Sequence, residues 1–427
     1  MSDRIRLLMS GDLHIGRSSS RVKGDARPND LRAATAWYRL VDFAIREKTR
    51  VVCLSGDVAD QDNKFWEAIG PLEEGIRRLA KAGIQTIAVS GNHDYDVLAR
   101  LADQMPSEHF TLLGRGGVWQ RRSIYVDGHP KLHVDGWSFP SQYVDHSPPN
   151  TYAFEPDANV PTLGMVHGDL DVPGSRYAPL DSVRLRASGV NGWLFGHIHT
   201  PRLMEGSPWL LYPGSPQALD PGETGPHGPW IVEVSDGKLG RPKQLPLSTV
   251  WYDNLDIDIS AIDDEASLEG KVHGEIRKTA DRIAERAGAN LVHISLRLRL
   301  AGATSISSRV ADVANSLIDE LSLQAGPGTV RVEKVAVQTT PAIDLNEHAK
   351  KDSLPGSLAR LLLELGDGEL SSDVGKLVGC VQDALEQISG AKEFAQLDQP
   401  QITESTAREY LRTQARELLT QLTSQLP

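Results

Sequence analysis

A chain of 427 residues that is 40% hydrophobic and 6% aromatic has room for about two or three domains with real cores. Its net charge of −12 argues against a broad basic nucleic-acid surface, and its two cysteines, Cys53 and Cys380, give no disulfide framework and fit a reducing compartment. The opening MSDRIRLLMSGD is too short and charged for a signal peptide, and no run of about 18 apolar residues offers a membrane span, so a soluble, cytoplasmic protein is expected.

The elements alternate in chain order. An apolar run at 5–9 leads into Ser10-Gly11-Asp12, and a helical pattern follows over 31–48. A second run at 51–54 enters Ser55-Gly56-Asp57, followed by a helical pattern over 66–82. A third at 86–89 enters Ser90-Gly91-Asn92-His93-Asp94. After a Pro-, Ser- and Asn-rich excursion at 139–161, runs at 163–166 and 193–195 enter His167-Gly168-Asp169 and Gly196-His197. Short apolar runs closed by turn residues read as buried strands, and strand–helix alternation implies a parallel, helix-covered sheet. Ligands gather beyond the carboxyl ends of such strands.

The character changes near residue 250. Strand patterns at 250–260, 291–300 and 328–338 alternate with helical patterns at 263–287 and 305–321, a βαβαβ-like unit. From about 346 the chain reads as all-helical. Its last segment opens with a capping-box pattern, Thr406 and Glu409. Ala407, Tyr410, Leu411, Ala415, Leu418, Leu419 and Leu422 then form one stripe.

The polar residues at the strand ends carry the chemistry. Asp12, His14, Asp57, Asn92, His167, His197 and His199 offer carboxylate, amide and imidazole donors to one crevice. They suit two divalent ions, with Asp57 as the bridge, because cations about 3.5–4 Å apart need an anion between them. In extended backbone, residues i and i+2 point the same way, so Asp12 and His14 are expected to reach one ion together, and His197 and His199 one ion each. Gly196 is expected to let the chain leave its strand, with Gly56 and Gly91 serving similar turns. Nitrogen and oxygen donors without thiolate favour Mn(II), Fe(II) or Zn(II), with Mn(II) the first choice. His109, His129, His133, His146, His227, His273, His293 and His348 are assigned to surface or packing roles.

In this order the segments resemble the calcineurin-like metallophosphoesterase superfamily over residues 5–215. Within it they are similar to the SbcD-like DNA-repair exonucleases. Asp12-Leu13-His14-Ile15-Gly16 matches their first block, and Tyr212-Pro213-Gly214-Ser215-Pro216-Gln217 their closing segment. Glu223-Thr224-Gly225-Pro226-His227-Gly228 and the run at 230–234 also fit. The resemblance implies an α/β fold: a two-sheet αββα sandwich over 1–249, a small α/β cap over 250–345, and a helical segment over 346–427 that docks a partner. It implies one ion on Asp12, His14, Asp57 and His199, and the other on Asp57, Asn92, His167 and His197. His93 would be the non-ligand histidine acting on the leaving oxygen. Asp60 would orient its ring, at a position where some repair nucleases carry His.

Such a site makes a hydroxide-like nucleophile of a water bridging two cations. Fold and site do not name the phosphoester. Protein phosphatases of the superfamily carry Asp-Arg-Gly where this chain has Asp60-Gln61-Asp62. Small cyclic-nucleotide phosphodiesterases usually end soon after the Gly-His-x-His block, whereas this chain continues. A DNA nuclease subunit working with an SbcC-like coiled-coil ATPase is therefore the expected function. The helices at 31–48 and 66–82 are places for self-pairing. A small cyclic-nucleotide enzyme and a non-catalytic docking subunit stay open. DNA affinity rests on phosphate contacts, and Arg17, Arg21, Lys23 and Arg27, on a loop expected to be flexible around Ser18-Ser19-Ser20, are the candidates.

Overall fold

A computed structural model of the chain describes residues 4–23, 27–61, 67–260, 262–321, 323–366, 370–389 and 402–424. Asp62 and the expected helix start at Trp66 lie outside them. The chain divides into two compact units. One is Met1–Leu255 with Glu275–Leu298 and Glu320–Lys334; the other is Asp256–Gly274 with Arg299–Asp319 and Val335–Pro427.

The first unit is built on two sheets. β1 (Ile5–Ser10), β2 (Val51–Ser55), β3 (Gln85–Val89) and β4 (Phe110–Leu112) run parallel. β11 (Trp230–Ser235) closes the other side of β1 antiparallel, with β12 (Lys238–Leu239) and β13 (Lys243–Gln244) paired to it. In the second sheet β6 (His129–Trp137), β7 (Thr162–His167), β8 (Gly192–Gly196) and β10 (Trp209–Tyr212) run parallel. β5 (Gln120–Val126) and β9 (Arg202–Met204) are antiparallel edges.

Alternation along the strands sorts the side chains. Leu7 and Met9 of β1, Val51 and Cys53 of β2, and Ile87 and Val89 of β3 enter the core shared with Leu132, Val134, Leu163, Met165, Leu194 and Leu211 of the second sheet. Leu8, Val52, Leu54 and Ala88 point the other way, against helices. Those are α1 (Ala33–Arg46), α2 (Ile69–Lys81) and α3 (Val97–Gln104). α1 buries Ala33, Ala36, Trp37, Leu40, Val41 and Ala44, a stripe at helical spacing. The outer face of the second sheet, with Trp137, Val166, Trp193 and Phe195, is covered by Phe139 and Val144 of the excursion, Ala178 and Leu180 of the loop after β7, and Leu185 of the one-turn α4 (Ser182–Arg186). This is the mixed α/β sandwich expected.

A third sheet has the order β14-β15-β17-β16, from β14 (Val250–Asp258), β15 (His293–Thr304), β16 (Leu323–Ala325) and β17 (Gly328–Pro341). The helices between its strands are α5 (Glu265–Ala287) and α6 (Val310–Glu320). The βαβαβ reading omitted β16, a short strand that forms an antiparallel hairpin with β17 through Ala325 and Gly328.

The tail is helical, as expected: α7 (Leu345–Ala349), α8 (Leu354–Gly366), α9 (Ser372–Ser389) and α10 (Glu404–Ser424). The capping residue of α10 is Thr403, not Thr406. Thr403 Oγ1 accepts from the Thr406 amide at 3.3 Å, and Ala407 N donates to the Thr403 carbonyl at 3.0 Å. A polar residue three positions earlier meets the same amides, so Thr406 lies inside the helix. The stripe divides. Ala407, Ala415 and Leu419 are buried with residues of α8 and α9, whereas Tyr410 and Leu418 stay exposed. Among the described residues no helix is long and apolar enough to cross a membrane.

Candidate metal centre

The loops after β1, β2, β3, β7 and β8 meet at one end of the sandwich, where sequence spacing placed the ligands. Three groups could hold a metal ion, the first two sharing His14: Asp12, His14 and His199; His14, Asp60 and His93; and Asp57, His167 and His197. His197 and His199 thus enter different groups. Asp57 Oδ2 lies 4.0 Å from His14 Nε2 and 3.4 Å from His167 Nε2, between two of the groups. Asn92 joins through Oδ1, 3.2 Å from His167 Nε2.

Local backbone delivers these side chains in a way alternation did not foresee. Asp12, His14 and Asp57 have φ of 48°, 45° and 49°, in the left-handed region rather than extended. Hydrogen bonds hold the turns: Asp12 N to the Gly56 carbonyl and His14 N to the Asp57 carbonyl, both 3.0 Å. Gly196 is also not the residue that bends the chain. It lies in β8, where a Cβ would come 2.1 Å from the Ser55 carbonyl oxygen and 2.4 Å from His167 Nδ1. His197 makes the turn, at φ 101°. Gly91 follows the same logic, since its Cβ would meet Asp57 Oδ1 at 2.2 Å.

The outward nitrogens of two rings are fixed. His167 Nδ1 donates to the Ser55 carbonyl at 3.0 Å, which turns Nε2 towards Asn92 and Asp57. His199 Nδ1 donates to Glu223 Oε1 at 2.8 Å, and its Nε2 faces His14 Nε2 across 3.0 Å. A partner on one ring nitrogen sets the tautomer and frees the other as a ligand. Asp12 Oδ1 accepts from the His197 amide at 2.9 Å, while Oδ2 is buried with no hydrogen-bond partner among the described residues. An unmet carboxylate oxygen among nitrogen and oxygen donors fits a divalent cation.

The buried carboxylates and rings bias one another's charge. Burial lifts the Asp57 carboxyl, but His167, by charge and hydrogen bond, and then His14 and His93 hold it far below the usual carboxylate range. Burial works against the charged His167 ring, yet Asp57 raises it to about 9. Burial lowers His93 against the pull of Asp57. Its Nε2 stands 4.0 Å from Asp57 Oδ2, and its ring meets His14 edge-on at 4.9 Å. Asp60 joins the His14 and His93 group, with Oδ1 3.5 Å from His14 Nδ1.

The basic loop differs from expectation. Arg17 donates to Asp220 Oδ2 at 2.6 Å, and Ser20 Oγ to its Oδ1 at 2.6 Å. Ser19 is buried and donates to the Ala218 carbonyl at 2.6 Å. Arg21 pairs with Glu333 at 3.7 Å, and Lys23 donates to the Val332 carbonyl at 3.4 Å. Ser19 and Ser20 are anchors rather than parts of a flexible linker, one on a backbone carbonyl and the other on a carboxylate. Arg27 is exposed.

Sequence reasoning gave no role to three acids that the fold brings in. Glu223 Oε2 accepts from Ser215 Oγ at 2.8 Å and Leu219 N at 2.7 Å while Oε1 holds His199; burial would raise its carboxyl, but these contacts keep it at about 2. Asp169 Oδ1 stands 3.3 Å from His197 Nε2. Asp94 accepts from Val58 N and Gly91 N at 2.6 and 2.8 Å, and burial, then the charge of Asp57, push it up to about 7. Glu223 and Asp94 sit in stretches that read as motif, so a polar residue beside a ligand block was the available signal.

Residues 5–201 match the calcineurin-like phosphoesterase family, and residues 252–340 match the middle domain of metallophosphoesterase YhaO. A Bacillus subtilis protein, uncharacterized metallophosphoesterase YhaO, is 28% identical over 217 residues, 50% of this chain and 52% of that protein. The chain thus spans about half the length of that relative. A Methanopyrus kandleri protein, DNA double-strand break repair protein Mre11, is 23% identical over 341 residues, 69% of this chain and 71% of its own. Among solved structures, a dimetal phosphatase from Danio rerio gives a TM-score of 0.37 at 13% identity, over 56% of this chain and 98% of its own. A purple acid phosphatase from yellow lupin gives 0.31 at 11% identity, over 58% of this chain and 46% of its own. The family match over residues 5–201, which contains every grouped ligand candidate, supports the calcineurin-like metallophosphoesterase superfamily for this chain, a superfamily built around a dinuclear metal centre.

Proposed function

We propose that the chain is a dinuclear-metal phosphodiesterase whose substrate is DNA, acting as the nuclease subunit of a repair complex with an SbcC-like coiled-coil ATPase. The observation that carries the dinuclear part is the position of Asp57 Oδ2, within 4.0 Å of both His14 Nε2 and His167 Nε2. A single carboxylate shared by two donor groups is what a pair of cations requires. The DNA part is supported by the 23% identity to a protein named for double-strand break repair and by the long stretch beyond residue 250.

Bound metals, Mn(II) by our reading, would polarise the phosphoryl oxygens and activate water. Asp12, His14, Asp57 and His199 would hold one ion, and Asp57, Asn92, His167 and His197 the other. His93 stands outside both sets, with side-chain exposure of 31%, so its ring meets substrate. Its Nε2 would carry the proton to the departing oxygen, although burial lowers the ring on balance and Asp57 only opposes that fall. Asp60, grouped with His14 and His93, would orient the His93 ring. We keep the domains as 1–249 catalytic, 250–345 cap and 346–427 docking, in a cytoplasmic protein.

The test is digestion of end-labelled duplex DNA with Mn(II), with and without a co-expressed coiled-coil ATPase. Metal-dependent shortening of the label is expected. Clean cleavage of 2′,3′- or 3′,5′-cyclic nucleotides with inert DNA would overturn the DNA reading. Inertness towards DNA, cyclic nucleotides and aryl phosphodiesters alike would overturn the catalytic one.

A further inference from the structure

Beside His197 the fold assembles a stack that the sequence conceals. Tyr177 lies against the His197 ring, with centroids 4.7 Å apart and planes 31° off parallel. Tyr143 follows Tyr177 at 5.9 Å with its plane tilted by 50°, and the Arg176 guanidinium lies 4.1 Å over the Tyr143 ring. Tyr143 is 45% exposed and Arg176 is also exposed, so the outer rungs face solvent while the inner one touches a ligand candidate.

The stack is held rather than incidental. Val144 N donates to the Arg176 carbonyl at 2.9 Å, and Ala178 N to the Val144 carbonyl at 2.8 Å. These bonds stitch 143–144 to 176–178, two segments far apart in sequence. Ala178 is buried at φ 47°, a left-handed conformation that costs an alanine energy and persists only where its surroundings impose it. Packing against His197 needs Tyr177 alone. It gives no reason to extend the stack outward through Tyr143 to a guanidinium in water.

We infer that Tyr143 and Arg176 form a nucleobase subsite, which takes the base attached to the phosphate bound at the His197 side of the metal centre. Aromatic rings and guanidinium planes stack bases of any sequence, because every base has a π-face. The subsite deepens the phosphodiesterase reading and rests on it. It would favour nucleotides over phosphoesters that lack a base, and would act on a base turned out of its own stack.

Equilibrium binding separates the two claims. The full chain is titrated calorimetrically with thymidine 5′-monophosphate and with deoxyribose 5-phosphate, with and without Mn(II). The nucleotide is expected to bind about tenfold more tightly than the base-free phosphate. That preference should collapse in Tyr143→Ala and in Arg176→Ala and persist in Tyr143→Phe. Equal affinity in the wild-type chain, or an intact preference in the alanine variants, overturns the subsite. Arg176 is exposed, so its variant decides the matter if Tyr143→Ala fails to fold. An intact preference without hydrolysis of any diester would sink the phosphodiesterase reading and leave the base subsite standing.

Discussion

At the scale of single residues, Asp57 and His93 should separate cleanly. Asp57 touches two donor groups, so Asp57→Asn should lose both metal ions, read by metal analysis of the purified protein. His93 lies outside the proposed ligand sets, so His93→Gln should keep both ions and lose about 100-fold or more of its turnover. A fully active His93→Gln protein would show that the departing oxygen finds its proton elsewhere. Glu223 offers a finer test. Glu223→Gln keeps the shape but weakens the acceptor for His199 Nδ1, and such outer partners typically carry about 10–100-fold in metal affinity. Titration should show one ion weakened and the other nearly untouched. The donors themselves were legible, since Asp, Asn and His at strand ends advertise their chemistry. Their delivery was not. Left-handed φ at Asp12 and His14 depends on hydrogen bonds from the neighbouring β2 loop, and spacing within one segment does not reveal a neighbour.

At the scale of elements, β15 carries a buried histidine with a consequence for stability. His293 is 1% exposed, and its Nε2 has no hydrogen-bond partner among the described residues. Burial, and then the charge of Arg331, lower it from 6.5 to about 4. The unfolded chain therefore takes up this proton near pH 6.5, while the folded chain resists it until about pH 4. The stability that this neutral ring contributes is whole above pH 6.5 and drains as pH falls through that window. The loss is of the order of 3 kcal/mol by linkage. Urea midpoints at pH 7 and pH 5 should fall further for the wild-type chain than for His293→Gln; parallel falls would refute this. β1, β2, β3, β7, β8 and β11 were readable because they bury continuous apolar runs, as were α1 and α2 from their helical stripes, whereas β4, β5, β6, β9, β10 and α3 were not read. The start of α10 was less so, because Thr403 and Thr406 are equally good caps on paper and only the amide positions choose between them. The Tyr143–Arg176–Tyr177 stack was invisible for another reason: its parts come from two segments whose pairing no local pattern encodes.

For the whole molecule, metal binding and folding are linked, because the unfolded chain holds no cage. A cation at a hundred times its dissociation constant adds about 2.7 kcal/mol. Thermal midpoints should rise with Mn(II), fall back with a chelator, and stay flat in Asp57→Asn. An unchanged wild-type midpoint would mean that no divalent ion binds the native state. The basic loop bears on charge at this scale. Arg17 and Arg21 are already engaged by acids in a chain of net charge −12, so on the proposed DNA reading the cations that meet the phosphate backbone would lie outside this loop or on the proposed partner. One topological detail reaches further. β1 lies between β2 and β11, and its antiparallel neighbour is translated more than two hundred residues after it, with Ile5 finally opposite Val234. Until Trp230–Ser235 leaves the ribosome, one rim of a hydrophobic strand lacks its mate and is open to foreign chains. A fragment cut at residue 201, though it holds every grouped ligand candidate, should emerge as inclusion bodies, and co-expressing the missing ribbon should rescue it.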